Sequence, residues 1–117
     1  MNAILIYAAD EYAREMIKSA LINYLPLIIT EDRAQCLEAL RQKAVIQKAF
    51  IAAYDQNGDA DLKLFEEISA LKAGLSVIAV GNHDTEDAAA EAVHCGASGY
   101  IIVPAEANAI LTLARAQ

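Results

Sequence analysis

Short apolar runs without polar alternation recur along the chain at Ala3 to Tyr7, Leu27 to Ile29, Ala49 to Ala53, Ser76 to Val80 and Tyr100 to Val103. Runs of this length bounded by turn residues predict strands buried on both faces of a parallel sheet, because a strand with one solvated face would alternate. Between them the apolar positions change to helical spacing. Ala13, Met16, Ile17, Ala20, Leu21 and Tyr24 form one stripe, and Ala34, Leu37, Ala39 and Leu40 form a second, with Arg33, Arg41 and Lys43 outward. Leu64, Phe65, Ile68 and Leu71 form a third, Ala88, Ala89, Ala92 and Val93 a fourth, and Ile110, Leu113 and Ala114 a fifth. Each such stripe is the face a helix lays against a sheet.

The punctuation agrees with this reading. Asp10-Glu11 places acids at the start of the first helix, and Pro26 ends it. Thr30 or Asp32 caps the second helix and Asp84 or Thr85 the fourth, with Gly81-Asn82-His83 as the loop before it. Gly74 and Gly96 close the third and fourth helices. Strands alternating with helices at this spacing imply right-handed crossovers. The expected fold class is α/β: a doubly wound, five-stranded parallel sheet in order 2-1-3-4-5, forming a single domain over 1–117. Ligands of such sheets sit beyond the carboxyl ends of the strands, which places any chemistry near Ala53 to Asp55.

Charge narrows the functions available. A net charge of −7 over 117 residues opposes the phosphate contacts that dominate nucleic-acid affinity, so this domain alone is not expected to bind DNA or RNA. The apolar run at Ala3 to Ala9 lacks the basic start of a signal peptide, and the stretch from Ala20 to Ile29, broken by Asn23 and Pro26, is too short to span a bilayer. A cytoplasmic protein without a membrane partner is expected. Cys36 and Cys95 lie apart within helical patterns and read as packed thiols rather than as a disulfide or a zinc site.

The string Gly96-Ala97-Ser98-Gly99-Tyr100-Ile101-Ile102-Val103-Pro104, with Ile4 to Tyr7, Arg14-Glu15 and Val77 to Val80, resembles the receiver domain of response regulators over essentially the whole chain. The resemblance implies the CheY-like, flavodoxin-like (βα)5 fold and a cis Val103–Pro104 peptide bond. It also implies a phosphoryl switch: an acid pair after the first strand for Mg²⁺, an aspartate ending the third, a hydroxyl after the fourth and a lysine before the proline. Carried over by position, these fall on Ala8 and Ala9, on Ala53, on Gly81 and on Val103. None can hold a metal, accept a phosphoryl group or contact its oxygens through its side chain. The chain is therefore similar to a pseudo-receiver, a non-enzymatic signalling module of bacterial regulation with no metal and no cofactor. Its expected partner is a protein, or its own copy, engaged through the fourth helix, fifth strand and fifth helix, with Ala88, Ala92, Tyr100 and Pro104 on that face.

The alternative is a true phosphorelay receiver with a displaced site at Asp10 and Asp55, or a small-ligand or metal-binding domain of the same fold. Asp55, Asn57, Asp59, Asp61 and Glu66 imitate the oxygen spacing of a calcium loop, but Ala60 stands where that loop requires glycine. His83 and His94 have no third ligand nearby, and adjacent His94 and Cys95 do not face one another on a helix.

Overall fold

The computed structural model describes residues 3–42, 45–52, 61–71, 74–82 and 85–115. In chain order the elements are β1 (Ala3–Ala8), α1 (Glu11–Leu21), β2 (Leu27–Thr30), α2 (Arg33–Gln42), β3 (Ile46–Ala52), α3 (Leu62–Leu71), β4 (Ser76–Asn82), α4 (Glu86–His94), β5 (Gly99–Val103) and α5 (Ala107–Arg115). The strands form one parallel sheet in the order β2-β1-β3-β4-β5. Successive side chains leave a strand on opposite faces, so each buried strand feeds two cores. Ile4, Ile6, Phe50, Ile78, Val80 and Ile101 meet Ile17 and Leu21 of α1 and Ile110 of α5 on one face. Leu5, Ala49, Ile51, Val77 and Ala79 meet Cys36 and Leu40 of α2, Leu64, Phe65 and Ile68 of α3, and Ala89 and Ala92 of α4 on the other.

The apolar pattern located the elements but misjudged several edges. Helix α1 stops at Leu21, five residues before Pro26, and the N–H of Tyr24 donates to the Leu21 carbonyl at 2.9 Å. The chain leaves the helix there because Leu25 and Leu27 pack back onto the α1 side of the sheet. Tyr24 falls outside the stripe, and Ala34 and Leu71 are exposed rather than inward. Gly81 and Asn82, expected in a loop, continue β4 and pair with Ile102 and Val103. Strand β3 begins at Ile46, which buries Lys48. Its ammonium donates to the Leu113 carbonyl of α5 at 2.7 Å, while burial lowers its pKa. Gly74 and Gly96 take φ of +91° and +113°, the left-handed region glycine enters without a Cβ penalty.

Candidate functional site

The sheet register brings the carboxyl ends of the strands to one edge. Tyr7 pairs with Thr30, Ala8 with Ala52, and Asn82 with Val103. Ala53 and Asp55 lie outside the described residues, as do His83 and Asp84. Ala8 is fully buried and Ala9 exposed. Asp10 is also exposed, and its Oδ1 accepts the Tyr12 N–H at 3.2 Å as the N-cap of α1. A carboxylate there satisfies an orphan amide and complements the helix dipole.

Behind Ala8 lies a cation the helical pattern did not single out. The Arg14 side chain is only 14% exposed; its Nη1 donates to the Ala8 carbonyl at 3.0 Å and its Nη2 lies 3.5 Å from Glu31. Arg14 stands one residue from buried Ala13 and seven before buried Leu21, and that i,i+7 spacing was the available signal. A guanidinium stays charged at any ordinary pH. A fixed positive charge is therefore part of the fold at the end of β1.

At the end of β4, space rather than charge is decisive. A Cβ on Gly81 would stand 2.9 Å from the Thr85 hydroxyl oxygen, 3.1 Å from the Thr85 carbonyl oxygen and 3.2 Å from the Ala89 Cβ. Thr85 is buried, and its hydroxyl accepts the Asn82 N–H at 2.7 Å, with the Asn82 carbonyl and side-chain oxygens each 3.3 Å away. The Thr85 N–H donates to the Asn82 carbonyl at 2.9 Å. Thr85 is the N-cap residue of α4, as one sequence alternative had it, but its hydroxyl makes no cap bond and faces the strand instead. The start of α4 is thus tied to the end of β4.

The small residues of α4 face inward for the same reason. Ala88 and Ala92, expected on an interaction surface, are 5% and 1% exposed. They pack with Ala89 against Ile51, Phe65, Ala79 and Val80 around a residual void of about 10 Å³. Alanine lets α4 approach its own sheet, leaving these two side chains unavailable to a partner. Tyr100 is 43% exposed and Pro104 is exposed, with Val93 of α4 on the accessible side. Val103 is buried, and the Val103–Pro104 bond is cis, as the resemblance implies.

Across the sheet, Asp61 accepts the Leu64 N–H at the start of α3 and also receives Arg33 Nη1 at 2.8 Å. Arg33 Nη2 reaches Glu67 at 2.8 Å, so this residue, placed outward by the helical pattern, braces α2 to α3. Burial, then the charges of Cys36, Asp61 and Asp32, raises the Tyr7 pKa, and Arg33 opposes them. Burial pushes the Cys36 thiol up to about 12. Cys95 is half-buried and lies just past α4 rather than inside it, and His94 is exposed. Among the described residues no three His, Cys, Asp or Glu side chains gather into a metal-binding group, and no helix is long and apolar enough to cross a membrane.

Comparison with solved structures identifies the fold. NtrX from Brucella abortus superposes with a TM-score of 0.85 at 22% identity, over 97% of this chain and 26% of that one. Its isolated receiver domain gives 0.84 at 22% identity, over 95% and 93% of the two chains. The chemotaxis protein CheY4 of Vibrio cholerae gives 0.78 at 16% identity, over 100% and 99%. The chain thus spans about a quarter of the longer NtrX structure. No protein-family model and no curated protein sequence matches it. The class defined is the receiver fold of two-component regulators, the CheY-like form of the flavodoxin topology.

Proposed function

We propose that this chain is a receiver-fold interaction module that works without phosphorylation, a non-enzymatic part of a bacterial cytoplasmic regulator. The observation that carries this reading is the geometry around Gly81. In a switching receiver a hydroxyl side chain at this position follows the phosphoryl group; here a Cβ would already collide with Thr85. The remaining positions support it. Ala8, Ala9, Ala53 and Val103 offer no side-chain ligand, nucleophile or donor for the anion. A divalent cation near the end of β1 would also meet the fixed charge of Arg14. Tyr100, Val93 and Pro104 form the accessible part of the α4/β5/α5 face. This face is where a protein partner or a second copy would bind.

The test is an amide NMR titration of the whole chain with Mg²⁺ and beryllofluoride, a stable mimic of aspartyl phosphate. The expected result is no saturable shift. Saturable shifts at Asp10, Asp55 and Gly81, or acid-labile phosphate gained from acetyl phosphate, would overturn the reading in favour of a displaced phosphorelay site.

A further inference from the structure

At one border of the sheet, β2 pairs with β1 alone among the described residues. Its residues Leu27, Ile28, Ile29 and Thr30 include no lysine, proline or bulge of the kind that blunts an edge strand. The Ile4 N–H donates to the Pro26 carbonyl at 3.0 Å. By the alternation of a parallel ladder, Ile28 and Thr30 then turn their backbone groups toward β1, and Leu27 and Ile29 turn theirs to the open side. Beside this edge runs a groove of about 550 Å³ whose lining includes Lys18, Ile22, Tyr24 and Ile29. Ile22 is 56% exposed, Ile29 39% and Tyr24 37%. Open backbone groups and uncovered apolar side chains thus share one border of the sheet.

Charge differs between the two ends of β2. Lys18, in the last turn of α1, lines the groove toward the amino end, and Arg115 lies 5.7 Å from the centre of the Tyr24 ring. At the carboxyl end Glu31 and Asp32 are exposed. Lys18 stands 3.8 Å from Glu15, and Arg14 stands 3.5 Å from Glu31. Both of these acids are exposed, so the pairs hold little against a competing partner.

We infer that β2 pairs antiparallel with β2 of a second copy, joining the two sheets into one. In the register that sets Leu27 opposite Ile29 of the second copy, the outward amides and carbonyls of both residues bond across a two-fold axis beside Ile28. Leu27 and Ile29 share a face of the strand, so apolar side chains also meet there. The antiparallel sense carries the acidic carboxyl end of each β2 to the basic amino end of the other. A parallel sense would set Lys18 beside Lys18 and Glu31 beside Glu31. The contact uses both β2 edges and closes on itself. The net charge of −7 opposes approach of two copies, but salt screens it beyond about 8 Å at physiological ionic strength. Because β5 lies at the other border of the sheet, the α4/β5/α5 face stays free, and the inference is independent of whether the chain is phosphorylated.

The test is sedimentation equilibrium of the whole chain up to millimolar concentration, with hydrogen exchange followed by NMR. The expected result is a monomer–dimer equilibrium in which the Leu27 and Ile29 amides become protected as the dimer fills. Ile29→Lys, which sets an ammonium against Leu27 of the second copy, should weaken the dimer at least about tenfold. Glu31→Lys should weaken it about fivefold, and adding Lys18→Glu should restore it by re-forming the pair across the axis. All three positions lie at the surface, and unchanged thermal melting verifies folding. If Ile29→Lys does not fold, the Glu31 and Lys18 variants decide alone. A monomer at every concentration, a dimer that persists in both Ile29→Lys and Glu31→Lys, or a dimer that Tyr100→Ala dissolves would overturn the proposal.

Discussion

The α1/α5 face of this sheet and the α4 corner of its other face are sealed by opposite means. Toward α1 and α5, large side chains fill the space: Ile17, Leu21, Phe50 and Ile110 are all fully buried. Toward α4, the contact is made by Ala79, Gly81, Ala88, Ala89 and Ala92, with Thr85 as the tie. The first depends on volume present and the second on volume absent, while α2 and α3 fill the rest of that second face with Leu40, Leu64, Phe65 and Ile68. Small residues on an interior helix therefore mark close approach to the helix's own sheet, which is why Ala88 and Ala92 are poor guides to a partner surface.

Deleting volume should hurt most on the first face. Ile110→Ala removes a fully buried side chain and should cost about 2–5 kcal/mol in urea unfolding. A loss below about 1 kcal/mol would mean that α5 adds little to the core.

The second face also carries a buried titratable group. The folded Cys36 pKa, about 12, exceeds its ordinary 9.0. The stability this contributes is complete below pH 9 and fades as pH rises toward 12, because the unfolded chain ionises first. Three units correspond to about 4 kcal/mol at most. Cys36→Ala lacks that slope, so unfolding of both proteins from pH 9 to 12 should show the wild-type advantage shrinking. Parallel curves would contradict a buried thiol.

Adding volume should do the damage near α4. Gly81→Ser should cost about 1–3 kcal/mol by overpacking. Combining it with Thr85→Ala removes the nearest clash, at 2.9 Å, and should recover part of the loss, although the Thr85 carbonyl and Ala89 still crowd the site. Additive losses in this double-mutant cycle would deny the contact.

The smallest contrast concerns the two arginines. Arg33 is 38% exposed at its side chain and pairs with two carboxylates, so Arg33→Met should cost about 1 kcal/mol or less. Arg14 is better shielded and serves a backbone carbonyl. Arg14→Met should cost more, since it leaves that acceptor without its donor. Thermal melting of both variants gives the ranking.

The apolar runs determined the fold because periodicity is local and the inner strands β1, β3 and β4 are buried on both faces, whereas the edge strands β2 and β5 leave Ile29 and Tyr100 exposed. Strand order followed from the pattern and its resemblance to receivers. Edges were less legible: Lys48 joins β3 because its ammonium meets the Leu113 carbonyl, 65 positions away in sequence. Asn82 joins β4 through its register with Val103.

At the strand ends the sequence determined which groups are absent, since alanine, glycine and valine state their chemistry by identity. Only the tertiary structure decided what stands there instead. That Gly81 faces Thr85 without room for a Cβ, and that Arg14 meets the Ala8 carbonyl, depend on how closely α4 and α1 approach the sheet. Helix-to-sheet distance is set by the summed packing of both cores, a quantity no local pattern contains.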